Sequence, residues 1–153
     1  MIRNALLTDY NEVNRLMNEI HIQHCSIFPE FYKSSANIFP KDLFIEECKS
    51  NKIYVIEIDN SVIGFAYIEY ISIKDNPAIY DQKILYIIDI CIDKEYRNKG
   101  YGKEMFEYIK GIASKEGCTS IKLDVYTFNT YAVKFYEAMN MKEEKIGFGY
   151  RIM

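Results

Sequence analysis

The sequence predicts an α/β fold: a mixed, mostly antiparallel central sheet flanked by helices on both faces. Three observations predict it. Strand-like runs of β-branched and apolar residues alternate with segments of helical spacing along the whole chain. The runs Ile53 to Ile58 and Val62 to Ile73 are joined by the turn Asp59-Asn60-Ser61, which makes them a hairpin. The run Ile84 to Ile92 feeds a short basic loop with glycines and then an amphipathic helix, a strand-loop-helix unit that packs helix on sheet.

The elements follow in order. Ile2 to Leu7 reads as a first strand. Asp9 with Glu12 three residues later is a capping-box-like helix start, and Tyr10, Val13, Leu16, Met17 and Ile20 recur at helical spacing. His21 to Phe39 is less regular; Pro29 breaks it, and it carries Phe28, Phe31, Tyr32 and Phe39. Lys41 to Ser50 is a short helix with Leu43, Phe44 and Cys48 inward. Within the hairpin, Gly64 marks a bulge or a close backbone approach. Asp75-Asn76-Pro77 places a loop over 74–82, and Lys83 to Ile92 is the central strand.

The helix Glu104 to Glu116 turns Met105, Phe106, Ile109, Ile112 and Ala113 inward, and Gly117 ends it in a left-handed cap. Ser120 to Tyr126 alternates Ile121, Leu123 and Val125 against polar partners, as a strand does. Asn129 to Met139 is helical with Ala132, Phe135, Tyr136 and Met139 on one stripe, and Asn140 stands where a C-cap glycine often stands. Lys145 to Met153 is read as a final strand. The order is β-α-α-β-β-β-α-β-α-β. With no repeat, linker or low-complexity block, residues 1–153 are read as one domain.

Composition narrows the class. The chain has 153 residues, 49% hydrophobic and 27% charged, which suits one globular core. A formal net charge of -3 argues against broad binding to nucleic acid or an anionic membrane. No apolar run approaches spanning length, and the N-terminus has no signal-peptide core, so a cytoplasmic location is expected. Cys25, Cys48, Cys91 and Cys118 are scattered without paired spacing. They read as reduced thiols, not as a disulfide frame or a zinc site, and no metal is expected.

The loop Arg97-Asn98-Lys99-Gly100-Tyr101-Gly102-Lys103 carries the functional signal. Glycines let the backbone approach an anion, successive N–H groups can point at it, and the helix start adds partial positive charge. A phosphate-bearing ligand is therefore expected there; the bland alternative is an ordinary strand-to-helix turn.

This segment resembles the cofactor-loop signature of the GNAT superfamily of acetyl-coenzyme A dependent N-acetyltransferases: Arg or Gln, two residues, Gly, one residue, then Gly or Ala. Arg97 to Gly102 matches it fully. Asn129-Thr130-Tyr131-Ala132-Val133-Lys134-Phe135-Tyr136 is similar to a second family segment of Asn, Ala and Phe-Tyr. The two segments occur in order and on the proper elements, so the resemblance covers essentially the whole chain.

The resemblance implies roles. The backbone of Ile90, Cys91 and Ile92 pairs with the pantetheine arm of acetyl-CoA like an extra strand. N–H groups from Asn98 through Lys99, Gly100, Tyr101 and Gly102 to Lys103 hold the pyrophosphate, with Arg97 and Lys103 adding charge. Asn129 bonds the pantetheine or an ordered water, and Tyr136 protonates the departing thiolate. The reaction implied is direct attack of an amine on the thioester, with strand N–H groups polarising the carbonyl and no covalent intermediate. The acceptor would be a primary amine of a small molecule or a peptide N-terminus. Many members of the family form homodimers, often through the C-terminal strands, and Ile146 to Met153 could serve here. The alternative is an acyl-CoA-binding sensor or interaction module of the same fold with little or no activity.

Other residues stay open between chemistry and structure. Asp89 is a carboxylate inside an apolar strand, costly unless functional or paired. Some family members carry adjacent acids at this strand position; here the first is Ile88. Asp89 is read as a general base, an amine binder or a structural cap. Glu69 is a further candidate, with a solvated face as its bland reading. His21 and His24 either line the acceptor cleft or pack against neighbours, as do Phe28, Phe31 and Tyr32. Cys91 on the cofactor strand reads as a small buried residue, since no histidine lies near it in sequence to activate a nucleophile.

Overall fold

In the computed structural model, residues 1–152 are described. They form strands β1 (Ile2–Asn4), β2 (Ile53–Ile58), β3 (Ser61–Ile73), β4 (Gln82–Ile92) and β5 (Ser120–Lys122). The helices are α1 (Tyr10–Ile27), α2 (Lys41–Lys49), α3 (Tyr101–Lys115) and α4 (Thr130–Ala138). The sheet order is β1-β2-β3-β4-β5; the first three pairings are antiparallel and β4–β5 is parallel. This is the mixed, mostly antiparallel α/β sheet expected from the sequence. The chain divides into two compact units, Met1–Leu123 and the residues from Asp124 onward.

Side-chain alternation along β2 puts helices on both faces of the sheet. Val55 joins Val13 and Leu16 of α1, Phe44 of α2, Phe39, Phe65 and Cys91 in one buried cluster. Its neighbour Tyr54 points the other way and meets Tyr108 of α3, ring centroids 5.7 Å apart. On that second side Met105, Phe106 and Ile109 of α3 are buried, as their spacing predicts. Gly64 pairs with Ile92 at the end of β4: a Cβ there would lie 2.6 Å from Ile92 Cδ1 and 2.9 Å from Cys91 O.

Local chemistry departs from expectation at the start of α1. Asp9 makes no side-chain cap on that helix. Its carboxylate accepts the Leu6 N–H at 2.7 Å and two Arg3 bonds at 2.7 and 3.2 Å. Burial pushes the Asp9 carboxyl up, but the Arg3 and Leu6 hydrogen bonds outweigh it and hold it below its ordinary value. An arginine from the adjoining strand has outcompeted the helix N–H groups for this carboxylate. Helix α1 also runs through His21 to Ile27, where the sequence suggested irregularity; the first breaker is Pro29.

The helix ends agree better. Gly117 (φ 70°) closes α3, with Cys118 N–H bonded to Ala113 O at 2.9 Å and Gly117 N–H to Ser114 O at 3.1 Å. Asn140 (φ 63°) closes α4 in the same way, through Met141 to Tyr136 and Asn140 to Glu137, both at 3.0 Å.

Two strand readings are corrected. β5 covers only Ser120 to Lys122 of the expected 120–126. No strand forms over 145–152, and Met153 lies outside the described residues. The alternation there is real, but a strand needs a neighbour for its backbone groups, and none pairs with it among the described residues. Phe148 and Tyr150 are instead 95% and 89% exposed.

Phe44→Ala should destabilise the fold by about 3–5 kcal/mol, because the ring is fully buried between Tyr10 and Phe39. Urea denaturation with an unchanged m-value checks this; a loss below about 1 kcal/mol would contradict the packing.

Candidate active site

β4 is the axis of the site. It pairs with β3 along its length, but with β5 only from Ile84 (opposite Ser120) to Tyr86 (opposite Lys122). Beyond Tyr86 no strand pairs with the other edge of β4 among the described residues. The backbone of Ile88 to Ile92 therefore has strand-pairing capacity left on one side.

A bulge lies at the head of this open stretch. Tyr67 pairs with Asp89 and Ile68 with Ile87, which leaves Ile88 as the extra residue. The extra residue turns Asp89 away from the face that Ile87 shares with α3. Asp89 joins Tyr67, Phe65 and Cys91 on the α1–α2 face. The first position of the acid pair weighed for this strand thus falls on the bulged residue, Ile88.

Asp89 is half-buried, and burial raises its carboxyl from the ordinary 3.8 to about 6. No hydrogen bond or ion pair offsets that burial among the described residues. Around it stand groups that sequence reading passed over. Tyr67 packs on Phe39 with ring centroids 5.2 Å apart. Burial first, then the charge and hydrogen bond of Glu47, push the Tyr67 hydroxyl well above its usual range. Glu47 is itself buried, 3.6 Å from Lys52 Nζ. It sits three residues after Phe44 on the inner face of α2, which was the legible signal for it. Glu69 is exposed, the solvated face weighed for it.

The glycine loop has features that suit an anion. Asn98 (φ 61°) and Gly100 (φ 91°) both take left-handed backbone, a sequence of turns that aims successive N–H groups to one side. Gly100 precedes α3 without any side-chain cap, and the first bond of the helix is Glu104 N–H to Gly100 O at 3.0 Å. The N–H groups of Tyr101, Gly102 and Lys103 therefore precede the helical ladder and suit a phosphate. A Cβ at Gly100 would meet nothing within 4 Å, so glycine is required by φ and not by space. Arg97 does not extend into this cradle as a simple point charge. Its Nε donates to Ile92 O at 2.9 Å, which also occupies one backbone carbonyl expected to face pantetheine.

Cys91 is buried, and burial pushes its thiol up to about 12, which disfavours the thiolate a nucleophile needs. His21 Nε2 lies 2.7 Å from Lys33 O and 3.3 Å from Cys25 Sγ. His24 stacks near Tyr32 at 5.0 Å, and burial, then the charge of His21, lower its pKa. These histidines brace the segment after α1. No group of side chains suited to a metal ion occurs among the described residues.

In the second unit, Asn129 caps α4: its Oδ1 accepts the Ala132 N–H at 3.2 Å. Tyr136 lies on the half-buried stripe of α4, its ring edge-on to Phe135 at 5.2 Å.

The first unit thus holds an open strand edge, a half-buried carboxyl beside a bulge and a glycine loop at the next helix start. The chain belongs to the acetyltransferase (GNAT) family, whose model matches residues 17–141. It is 28% identical to an N-alpha-acetyltransferase of Saccharolobus solfataricus over 97% of this chain and 84% of that protein. Its fold matches the F44R mutant of the BH1408 protein of Bacillus halodurans with TM-score 0.95 and 26% identity, over 100% of this chain and 99% of that one. An aminoglycoside N-acetyltransferase solved with CoA shares the fold at TM-score 0.72 and 16% identity, over 100% and 99% of the two chains.

The Asp89 carboxyl generates a stability prediction. Its folded pKa, near 6, exceeds the ordinary 3.8, so folding favours the protonated acid. That contribution is fully present below about pH 4 and is lost as pH rises through 6. Relative to Asp89→Asn, the wild type should lose on the order of 2–3 kcal/mol between pH 4 and 7. Parallel denaturation curves for the two proteins across this range would sink the assignment.

Proposed function

We propose that this protein transfers the acetyl group of acetyl-CoA to a primary amine of a small molecule or peptide by direct attack. The observation that carries the reading is the cradle of Asn98 and Gly100 opening directly onto an uncapped α3, just after the open edge of β4. The donor set fits the substrate: backbone N–H groups for a pyrophosphate, and unpaired strand backbone for the two amides of pantetheine. The family match from residue 17 to residue 141 supports treating 1–153 as one acetyltransferase domain.

The chemistry follows from the residues. An alkylammonium cannot attack, so a proton must leave it first. Asp89, with a carboxyl near 6, is ionised at neutral pH yet basic enough to accept that proton directly or through water. The amine nitrogen then bonds the acetyl carbon while the carbon–sulfur bond breaks. N–H groups at the β4 bulge stabilise the developing oxyanion. Tyr136 gives its phenolic proton to the leaving thiolate, the role its place in the second family segment assigns, and the second proton shed by the acylated nitrogen restores it through water. The anionic and aromatic surroundings of Asp89, Glu47 with Tyr67 and Phe39, favour a cationic acceptor. The N-alpha-acetyltransferase relative favours including peptide α-amines in that class.

The reading places the enzyme in the cytoplasm, where its four free cysteines would stay reduced. No described helix is long and apolar enough to cross a membrane. It also extends to a homodimer. Ile146, Phe148, Tyr150 and Ile152 stand at alternate positions of an unpaired segment and are all exposed, which suits burial against a second copy.

Calorimetry should give saturable acetyl-CoA binding, and its absence would end the proposal. In a thiol-release assay over a panel of amines and peptides, Tyr136→Phe should lower kcat about 100-fold with little change in acetyl-CoA affinity. Asp89→Asn should lower turnover by about 100-fold or more and abolish the rise in rate through pH 6. An intact pH profile would remove Asp89 as the base. Light scattering should find a dimer that Phe148→Ser converts to monomer; a monomeric wild type would exclude it.

A further inference from the structure

We infer that Glu19 of α1 is a positioning residue for the anion-binding loop, acting through Arg97; the inference rests on the acetyl-CoA reading of that loop. The Glu19 carboxylate is divided between two arginines. One oxygen takes Arg15 Nη1 at 3.1 Å. The other, Oε2, is sealed from solvent with no hydrogen-bond partner, and Arg97 Nη2 lies 3.7 Å from it. A buried anionic oxygen without a hydrogen bond is costly, and the Arg97 charge is what offsets it. With Nε on Ile92 O at 2.9 Å, the Arg97 side chain is held at two points, the end of β4 and α1.

The same helix holds the segment before Arg97. Arg15 Nη1 reaches Asp93 Oδ2 at 3.0 Å, and Asp93 Oδ1 accepts the Glu95 N–H at 3.0 Å, capping the turn Lys94–Tyr96. The Cys91 thiol points to Leu16 O at 3.6 Å. One face of α1 thus anchors residues 91, 93 and 97 in succession. Arg97 is the last fixed point before Asn98 and Gly100, whose left-handed backbone aims the cradle N–H groups. A chain entering those two residues from a mobile start would have to order them on binding. Glu19, by orienting Arg97, pre-orders them and raises affinity without touching the ligand.

The test compares wild type, Glu19→Gln, Glu19→Asp, Arg97→Gln and the double variant Glu19→Gln with Arg97→Gln. Two readouts are needed: acetyl-CoA affinity by calorimetry, and amide hydrogen exchange in the ligand-free protein. Glu19→Gln should weaken acetyl-CoA about tenfold and speed exchange at residues 97–103. Glu19→Asp should restore part of both. In the Arg97→Gln background, Glu19→Gln should add less than about a twofold further loss, because the pair acts as a unit.

Unchanged affinity and exchange in Glu19→Gln would overturn the inference. So would losses that multiply in the double variant, or faster exchange spread over the whole chain. If the wild type itself binds no acetyl-CoA, the proposed function fails. Exchange in the free protein then still decides whether Glu19 orders the loop.

Discussion

The pairing of β3 with β4, broken once at Ile88, is the constraint on which the rest of the site depends. Backbone hydrogen bonding holds β4 to β3 along its length, so the strand is fixed even where β5 no longer accompanies it. One edge of β4 can then remain open without the strand fraying. The bulge inverts side-chain facing past Ile87, so a carboxylate enters the α1–α2 side and not the α3 side. Gly64 permits the close approach of the two strands at the end of β4, where the loop begins. Open edge, placed carboxylate and loop origin all trace to one ladder.

Electrostatics divides the first unit into two working regions. Opposite Asp89 stands Tyr67, which packs on Phe39 and bonds Glu47. Beyond Ile92 the cradle is made of backbone N–H groups at a helix start, partially positive and suited to phosphate. Helix α1 touches both regions. Its Leu16 lies in the core against Phe65 and Cys91, while Arg15 and Glu19 reach Asp93 and Arg97. The helix that packs on the Asp89 face of the sheet is therefore the one that reaches Asp93 and Arg97, before the glycine loop.

Much of this was legible in the sequence. Helical spacing located the buried faces of α1 and α3, and Gly117 and Asn140 announced left-handed helix ends. Where reading failed, a distant residue had taken over a local role. Asp9 pointed to a helix cap, but Arg3 and the Leu6 N–H claimed its carboxylate. Arg97 read only as a charge beside the loop; that Ile92 O and Glu19 lie against its guanidinium was not legible. Residues 145–152 alternate like a strand, yet strand formation requires a partner that alternation cannot supply.

The sequence by itself determined the paired strands β2 to β4, the helical faces, the hairpin, the glycine loop at a helix start and the acid within an apolar strand. These depend on short-range geometry: side-chain periodicity, left-handed backbone at glycine and asparagine, and the cost of burying charge. The tertiary structure decided which face Asp89 occupies, because one bulged residue reverses that face and no pattern in β4 alone reveals it. It also decided the neighbours of Asp89 and Arg97, since Glu47, Tyr67 and Glu19 come from elements far apart in the chain. Strand register and long-range ion pairs bring these groups together, and both arise only when the whole sheet and its helices pack.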